Sequence, residues 1–190
     1  DCAINLSPRK DNVFGSIHRV LKPGGEFYIS DIVADRRLPA SIRNDKKLHA
    51  ECLGGALYEY DLLDTITAAG FRDPRSVSRS LVEENIGGTP NRFYSMTLRG
   101  FKFETPLDRR CEDFCQNATY LGNCPGSEGS FFLDQNHLFE KNSARAICRN
   151  TARMLAETRL SKYFEVTDEL EHRGIFDCSS PAPGESPSCC

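Results

Sequence analysis

The chain has 190 residues, 39% hydrophobic and 27% charged, with a net charge of −3, the composition of a folded protein with one large or two small domains. A Lys and Arg total of 24 against 27 Asp and Glu excludes the basic footprint that nucleic-acid or lipid-headgroup binding needs. No apolar run approaches the ~18 residues of a membrane span, and no basic stretch followed by an apolar one opens the chain as a secretory signal would.

Ala3–Leu6 is a short apolar run closed by Ser7-Pro8 and reads as the tail of a buried strand. Asp11 to Lys22 reads as a helix, because Val13, Ile17, Val20 and Leu21 fall three and four apart and turn one apolar face inward. Asp11 or Asn12 would cap it. Lys22-Pro23-Gly24-Gly25 would end it, since proline has no amide hydrogen to extend the ladder and glycine accepts the turn. Glu26–Val33, rich in aromatic and β-branched residues, follows as a strand. After the polar stretch Ala34–Asn44, Lys46–Leu57 and Tyr60–Ala69 read as helices, the second stopped by Gly70. Ser76–Val82 and Phe93–Phe103 read as strands. Residues 1–103 therefore spell β-α-β-α-α-β-β, which implies an α/β fold with a parallel sheet between helices and a ligand at the carboxyl ends of its strands. One partial strand before the first helix, and no Gly-rich strand-to-helix turn, are too few parts for a whole doubly wound sheet. The chain, which begins at Asp1 rather than Met, reads as a portion of a longer product.

A second region begins near Thr105. It holds Cys111, Cys115 and Cys124, a Gly/Pro/Ser loop over 122–129 and the apolar Phe131–Leu133. A helix is expected from Asn150 to about Leu160, with Thr151 as a candidate cap, then strands over Tyr163–Thr167 and Gly174–Cys178. Ser179–Cys190, rich in Pro, Ser and Gly and ending in Cys189-Cys190, reads as a disordered tail. The expected organisation is an α/β part over 1–103, a small α+β domain over 104–178 and a tail over 179–190. Nine Cys in all cannot pair completely within one chain. Without a secretory signal they read as thiols kept for chemistry or for soft ions.

Arg19-Val20-Leu21-Lys22-Pro23-Gly24-Gly25, helix running into strand, resembles the late part of class I S-adenosylmethionine methyltransferases. Asp35-Arg36-Arg37, Arg43-Asn44-Asp45 and, most specifically, Glu51-Cys52-Leu53-Gly54-Gly55-Ala56-Leu57-Tyr58 resemble the arsenite methyltransferase family. The likeness continues through Arg92-Phe93-Tyr94-Ser95, Cys111-Glu112-Asp113-Phe114, Ala118-Thr119-Tyr120-Leu121-Gly122, Asn150-Thr151-Ala152-Arg153-Met154-Leu155 and Gly174-Ile175-Phe176-Asp177-Cys178 to the final Cys pair. The resemblance implies the C-terminal part of a Rossmann-like methyltransferase domain followed by a small α+β domain. It implies methyl transfer from S-adenosylmethionine to As(III), a cytoplasmic detoxification reaction. The substrate would be arsenite or its thiol conjugate, and the partner a thiol reductant such as glutathione or thioredoxin.

By that resemblance Cys52 is the arsenic ligand and catalytic residue. Soft thiolates suit a soft metalloid, and chelation aims the arsenic lone pair at the methyl group. Gly54 and Gly55 would let the backbone bend closely around the ion. The family carries a further Cys just before its Arg-Phe strand, where this chain has Pro90-Asn91. Its remaining ligand and its Gly-rich cofactor turn belong to a half not contained here, so this chain alone would be inactive. Asn5 and Leu6, at the strand end that faces the cofactor in this superfamily, are the cofactor-binding candidates.

Each transfer takes As(III) to the pentavalent state, so thiols must return electrons. Cys111, Cys115, Cys178, Cys189 and Cys190 are the candidates for this redox or accessory role, and the last two could also capture arsenic. Cys111 and Cys115 would share one face if their segment were helical. With Cys124 and His137 they offer an alternative zinc site. His49, three residues before Cys52, could approach the same pocket, while Glu51 reads as a structural ion-pair partner. Two other functions compete with arsenite methylation. One is a class I methyltransferase acting on another small molecule, favoured by Asn91 standing where a Cys would. The other is a non-catalytic, thiol-rich metalloid-binding module.

Overall fold

The computed structural model describes residues 3–178. The Cys189-Cys190 tail lies outside the described residues, so its expected role is not placed. The chain divides into two compact units, Asp1–Lys22 with Glu26–Lys102, and Pro23–Gly25 with Phe103–Cys190.

In the first unit α1 (Lys10–Val20) starts without a side-chain cap. Asp11 instead sits in the first turn, where a carboxylate complements the helix dipole, and pairs with Arg9. At the other end Lys102 donates to the carbonyls of His18 and Leu21, both at 2.8 Å, a cation on the exposed carbonyls of the last turn. β1 (Glu26–Ala34) follows, then two short helices, α2 (Ala40–Arg43) and α3 (Lys46–Ala50). After them come β2 (Leu57–Tyr58), α4 (Glu59–Ala68), β3 (Arg75–Glu84), a 3-10 turn at Ile86–Gly88 and β4 (Arg92–Phe101).

The four strands form one sheet in the order β2-β1-β4-β3. β1 runs parallel to β2 (Val33 beside Leu57, Ala34 beside Tyr58) and antiparallel to β4 from Glu26–Phe101 to Ala34–Phe93. The expected all-parallel sheet is thus corrected to a mixed one. A parallel pair needs a crossover of a dozen or more residues, and the short link between β3 and β4 allows only a hairpin. Two further expectations fail locally. Residues 3–6 form a turn rather than a strand, because the Asp31 carboxylate accepts the Ile4 and Asn5 amides at 2.8 and 3.0 Å. The helix expected over 46–57 stops at Ala50 and re-emerges as β2, with Gly54-Gly55 in the turn between.

Alternation along β1 sends its side chains to two faces. Phe27 and Val33 join Phe14, Leu62, Ile66, Phe71, Met96 and Leu98 in one core. Ile32 and Ala34 join Leu38, Ile42, Cys52, Leu53, Ala56 and Phe93 in another. Gly100 is required here, since a Cβ on it would lie 2.5 Å from the Phe27 ring.

The second unit contains β5 (Glu112–Asp113), β6 (Gln116–Tyr120), β7 (Ser130–Asp134), β8 (His137–Glu140), β9 (Ala144–Ile147), α5 (Arg149–Ala156), β10 (Phe164–Val166) and β11 (Gly174–Ile175). β6 lies between β10 and β9, while β5 pairs with β11 and β7 with β8. Tyr120, Phe131, Phe139 and Phe164 form its aromatic centre, with Phe164 5.2 Å from the rings of the other three. The buried Tyr120 hydroxyl donates to Ser127 O at 2.8 Å and accepts from Cys124 N at 3.1 Å, so its polar end is satisfied. Cys111 and Cys115 flank an extended segment rather than sharing a helix face, since short strand pairing with β11 holds it straight. Among the described residues no helix is long and apolar enough to cross a membrane.

Candidate functional site

Cys52 follows α3, whose start is capped by Asp45 accepting from Lys47 N and Leu48 N at 2.8 and 2.9 Å. At its end Cys52 N donates to His49 O at 3.0 Å, and Leu53 N and Gly54 N both donate to Leu48 O at 2.9 Å. This closure places Cys52 at φ +65°, the left-handed position where a helix end favours glycine. Among the described residues five non-glycine residues have positive φ; three are Asp or Asn, and the other two are Cys52 and Cys115. Asp and Asn tolerate this region, whereas an ordinary L-residue is strained there by about 1–2 kcal/mol.

The loop is seated against residues 3–6. A Cβ on Gly55 would lie 2.1 Å from Asn5 O, and one on Gly54 would lie 2.9 Å from His49 N. The glycines therefore allow a close backbone approach to Asn5 and His49. Asn5 is buried, and its side-chain amide donates to Ile32 O at 2.7 Å and Cys52 O at 3.2 Å. Its backbone amide is held by Asp31, which also accepts from Ile32 N at 2.8 Å. Cys52 is thereby tied to the carboxyl end of β1, where an α/β sheet presents its ligands. The sulfur is covered, with the residue 8% exposed and packed among Ile32, Ala34, Leu38, Ile42, Leu53, Ala56 and Phe93.

The surrounding motif is mainly architectural. Asp35 N donates to Arg92 O at 3.0 Å, and its carboxylate accepts the Arg92 amide at 3.1 Å. Its side-chain bond with Arg36 draws the Asp35 pKa below the ordinary carboxylate value. Arg37 forks onto Asp61 at 2.6 and 2.7 Å. Glu51 pairs with Lys47 at 3.9 Å, as expected of it. His49 supports Cys52 through its backbone carbonyl.

Asn91, standing where a second thiol was expected, is buried in the turn between β3 and β4. Its Oδ1 accepts from Ile86 N at 3.0 Å and its Nδ2 donates to Ile86 O at 2.9 Å and to Thr89 Oγ1. Ile86 packs against the cluster that contains Cys52. An Asn here fastens the turn, a role a thiol could not fill.

Of the cofactor candidates, Asn5 has its amide hydrogens committed to two carbonyls, and Leu6 is about half exposed. Neither supplies a group that would grip the cofactor's charged ends.

The accessory thiols separate in the fold. Cys115 is buried, with its amide on Asp113 Oδ1 at 2.8 Å and its Sγ 3.9 Å from Glu171 O. Cys111 and Cys178 instead come together with Cys148, all three Sγ atoms lying within 4.8 Å of one another. Hydrogen bonding with Cys111 and Cys148, together with burial, pushes the Cys178 thiol far above its ordinary range. Cys148 was missed in the sequence. It occupies the N-cap position of α5, where Thr151 was expected to cap, and its Sγ lies 3.3 Å from Thr151 Oγ1. Its only local signal was its place just before the helix. The alternative zinc set does not assemble, because Cys124 and His137 join no ligand group with Cys111 and Cys115. The His137 ring instead meets Asp134 at 2.7 Å, both residues buried.

Comparison with known proteins matches residues 1–99 to a methyltransferase domain and residues 114–186 to an arsenite methyltransferase C-terminal domain. The chain is 41% identical to an arsenite methyltransferase of Aquipseudomonas alcaligenes, aligned over 100% of this chain and 59% of that protein. It is 36% identical to the arsenite methyltransferase of Mus musculus over 96% of this chain and 47% of that one, and 37% identical to that of Homo sapiens over 86% and 44%. Among solved structures it resembles CrArsM, an arsenic(III) S-adenosylmethionine methyltransferase of Chlamydomonas reinhardtii, at 39% identity and a TM-score of 0.86. That match covers 93% of this chain and 61% of the other. The chain thus spans about half the length of the relatives it matches.

Proposed function

The chain belongs to the arsenite methyltransferase family, and on that premise we propose that the whole protein methylates trivalent arsenic held on cysteine sulfur, with Cys52 as the ligand contributed by this portion. Bound S-adenosylmethionine would supply an electrophilic sulfonium methyl group. The residues described here hold the acceptor. The observation that carries the reading is the seat of Cys52, a thiol kept in left-handed backbone beside the carboxyl end of β1 and tied to that strand through Asn5. A helix end alone would favour glycine at this position. Backbone strain retained at a ligand-presenting strand end is a mark of a functional residue.

In this reading the Cys52 sulfur bonds arsenic and fixes the direction of its lone pair. The lone pair forms the new As–C bond as the sulfonium S–C bond breaks, which raises arsenic formally to the pentavalent state. Two electrons then return from a pair of thiols that become a disulfide, supplied by a reductant of the glutathione or thioredoxin kind. The low exposure of Cys52 keeps water from the reacting pair. The 190-residue chain alone is expected to show no S-adenosylmethionine binding at micromolar concentration by calorimetry. In the whole protein Cys52→Ser is expected to lower the arsenite methylation rate more than about tenfold, since loss of a positioning ligand removes orientation from the transition state. Normal turnover by that variant would remove Cys52 from the reaction.

A further inference from the structure

Three sulfurs from distant parts of the sequence gather inside the second unit. Cys111 precedes β5, Cys148 opens α5 and Cys178 follows β11. The β5–β11 pairing runs Gly174 beside Asp113 and Ile175 beside Glu112, and Phe176 N continues it by donating to Cys111 O at 2.7 Å. That pairing carries Cys178 back to Cys111. Asn150, in the first turn of α5, accepts from Asp108 N at 2.9 Å and donates to Asp108 O at 3.1 Å. This clamp fixes the segment leading to Cys111 against the helix start that bears Cys148. The cluster is therefore held by backbone from three elements rather than by a flexible loop. Cys148 is fully buried while Cys111 and Cys178 are partly exposed, so the group has a buried base and an open side. All three are thiols with no disulfide among them, and no His, Asp or Glu of the described residues completes the group.

We propose that Cys111, Cys148 and Cys178 form a second seat for trivalent arsenic, bound as a tris-thiolate within the C-terminal unit. The inference rests on the proposed function only for the identity of the ligand; the three-sulfur geometry stands without it. Arsenous acid carries three hydroxyl groups. Each As–O bond is replaced by an As–S bond, and each thiol proton leaves with its hydroxide as water, so three thiols and As(OH)3 give As(SR)3 and three waters. Arsenic stays trivalent, and no oxidant or reductant is needed. The product is neutral, which suits a half-buried position where a net charge would be costly.

Coordination number decides between arsenic and zinc. Trivalent arsenic keeps a lone pair in its fourth direction and is complete with three sulfurs. Zinc takes four ligands in structural sites, and three thiolates on it would leave a net negative charge. An ion bonded to sulfur at about 2.3 Å, as zinc is, draws its sulfurs to about 3.5–4 Å apart, so a group already within 4.8 Å closes by roughly 1 Å. Such a seat would hold the substrate in a trivalent, thiol-bound form away from the methyl-transfer site.

The test uses the reduced 190-residue chain carrying Cys52→Ser, titrated with sodium arsenite alone, zinc chloride alone, and both in competition. X-ray absorption at the arsenic edge counts the sulfurs. The expected result is one arsenic per chain with three sulfur neighbours, not displaced by equimolar zinc. Adding Cys111→Ser or Cys178→Ser, both at partly exposed positions, is expected to weaken arsenic binding by about tenfold or more, because chelation loses one of its three arms. Circular dichroism separates this loss from unfolding. For a variant that does unfold, Cys124→Ser in the same background, which leaves the cluster intact, is expected to keep full binding. No arsenic bound to the Cys52→Ser chain, fewer than three sulfurs per arsenic, tighter binding of zinc, or a Cys111–Cys178 disulfide after exposure to arsenite would each overturn the proposal. None of these outcomes depends on methylation, so failure here and failure of Cys52 in the turnover assay are read separately.

Discussion

Gly55 offers a direct test of how the Cys52 loop is held. A Cβ at Gly55 would stand 2.1 Å from Asn5 O and 2.9 Å from Asn5 C. Both are backbone atoms, so no side chain can swing aside, and relief requires about 1.4 Å of separation between the loop and Asn5, given packing distances of ~3.5 Å. Asn5 is not free to yield, because its amide hydrogen is on Asp31 and its side chain bridges Ile32 O and Cys52 O. Gly55→Ala therefore breaks one or two buried hydrogen bonds at about 1 kcal/mol each and adds an overpacking cost of about 1–3 kcal/mol. A total near 3 kcal/mol, at a urea slope of about 2 kcal/mol/M, lowers the urea midpoint by roughly 1–2 M. Gly15 supplies the opposite control. It is exposed within α1, and a Cβ there meets nothing within 4 Å, so Gly15→Ala is expected to stabilise by about 0.5–1 kcal/mol. Urea titration followed by far-UV circular dichroism compares the two. A Gly55→Ala chain that unfolds at the parent midpoint would refute the account of the loop's close seating.

Asn91→Ala removes the bonds that Ile86 makes with the Asn91 side chain and is expected to cost about 2 kcal/mol in urea unfolding; an unchanged midpoint would show that the turn closes without them. Asn91→Cys carries the same cost but adds a thiol to the turn whose Ile86 packs on the Cys52 cluster, so in a Cys148→Ser background arsenite affinity is expected to rise, as read by equilibrium dialysis. Burial, and next the charge of Lys102, hold the His18 pKa below 6.5, with the ring edge-on to Phe71 at 5.0 Å. The fold favours neutral imidazole, so this contribution is full above the unfolded value near 6.5 and is lost as pH falls through the lower folded value. An NMR titration of His18 with a midpoint at or above 6.5 would contradict that environment.

Local pattern alone determined much of the architecture. The apolar spacing of α1 and α4, the β-branched and aromatic run of β1, and the alternation of β4 each state their element within a few residues, because helix and strand periods are properties of neighbouring side chains. The Glu51–Tyr58 run likewise marked the family. Tertiary structure decided the rest. The turn at 3–6 forms because a buried carboxylate on β1 captures its amides, and Asp31 gives no sign of that role in its own sequence context. Asn5 is a strut between segments because two carbonyls converge on it from separate parts of the chain. Cys148 looked like an unremarked residue before a helix until strand pairing and the Asn150 clamp brought it to Cys111 and Cys178. Periodicity reports what one segment does with its own side chains. A cluster of three sulfurs depends on how distant backbones are hydrogen-bonded together, and that is written only in the folded chain.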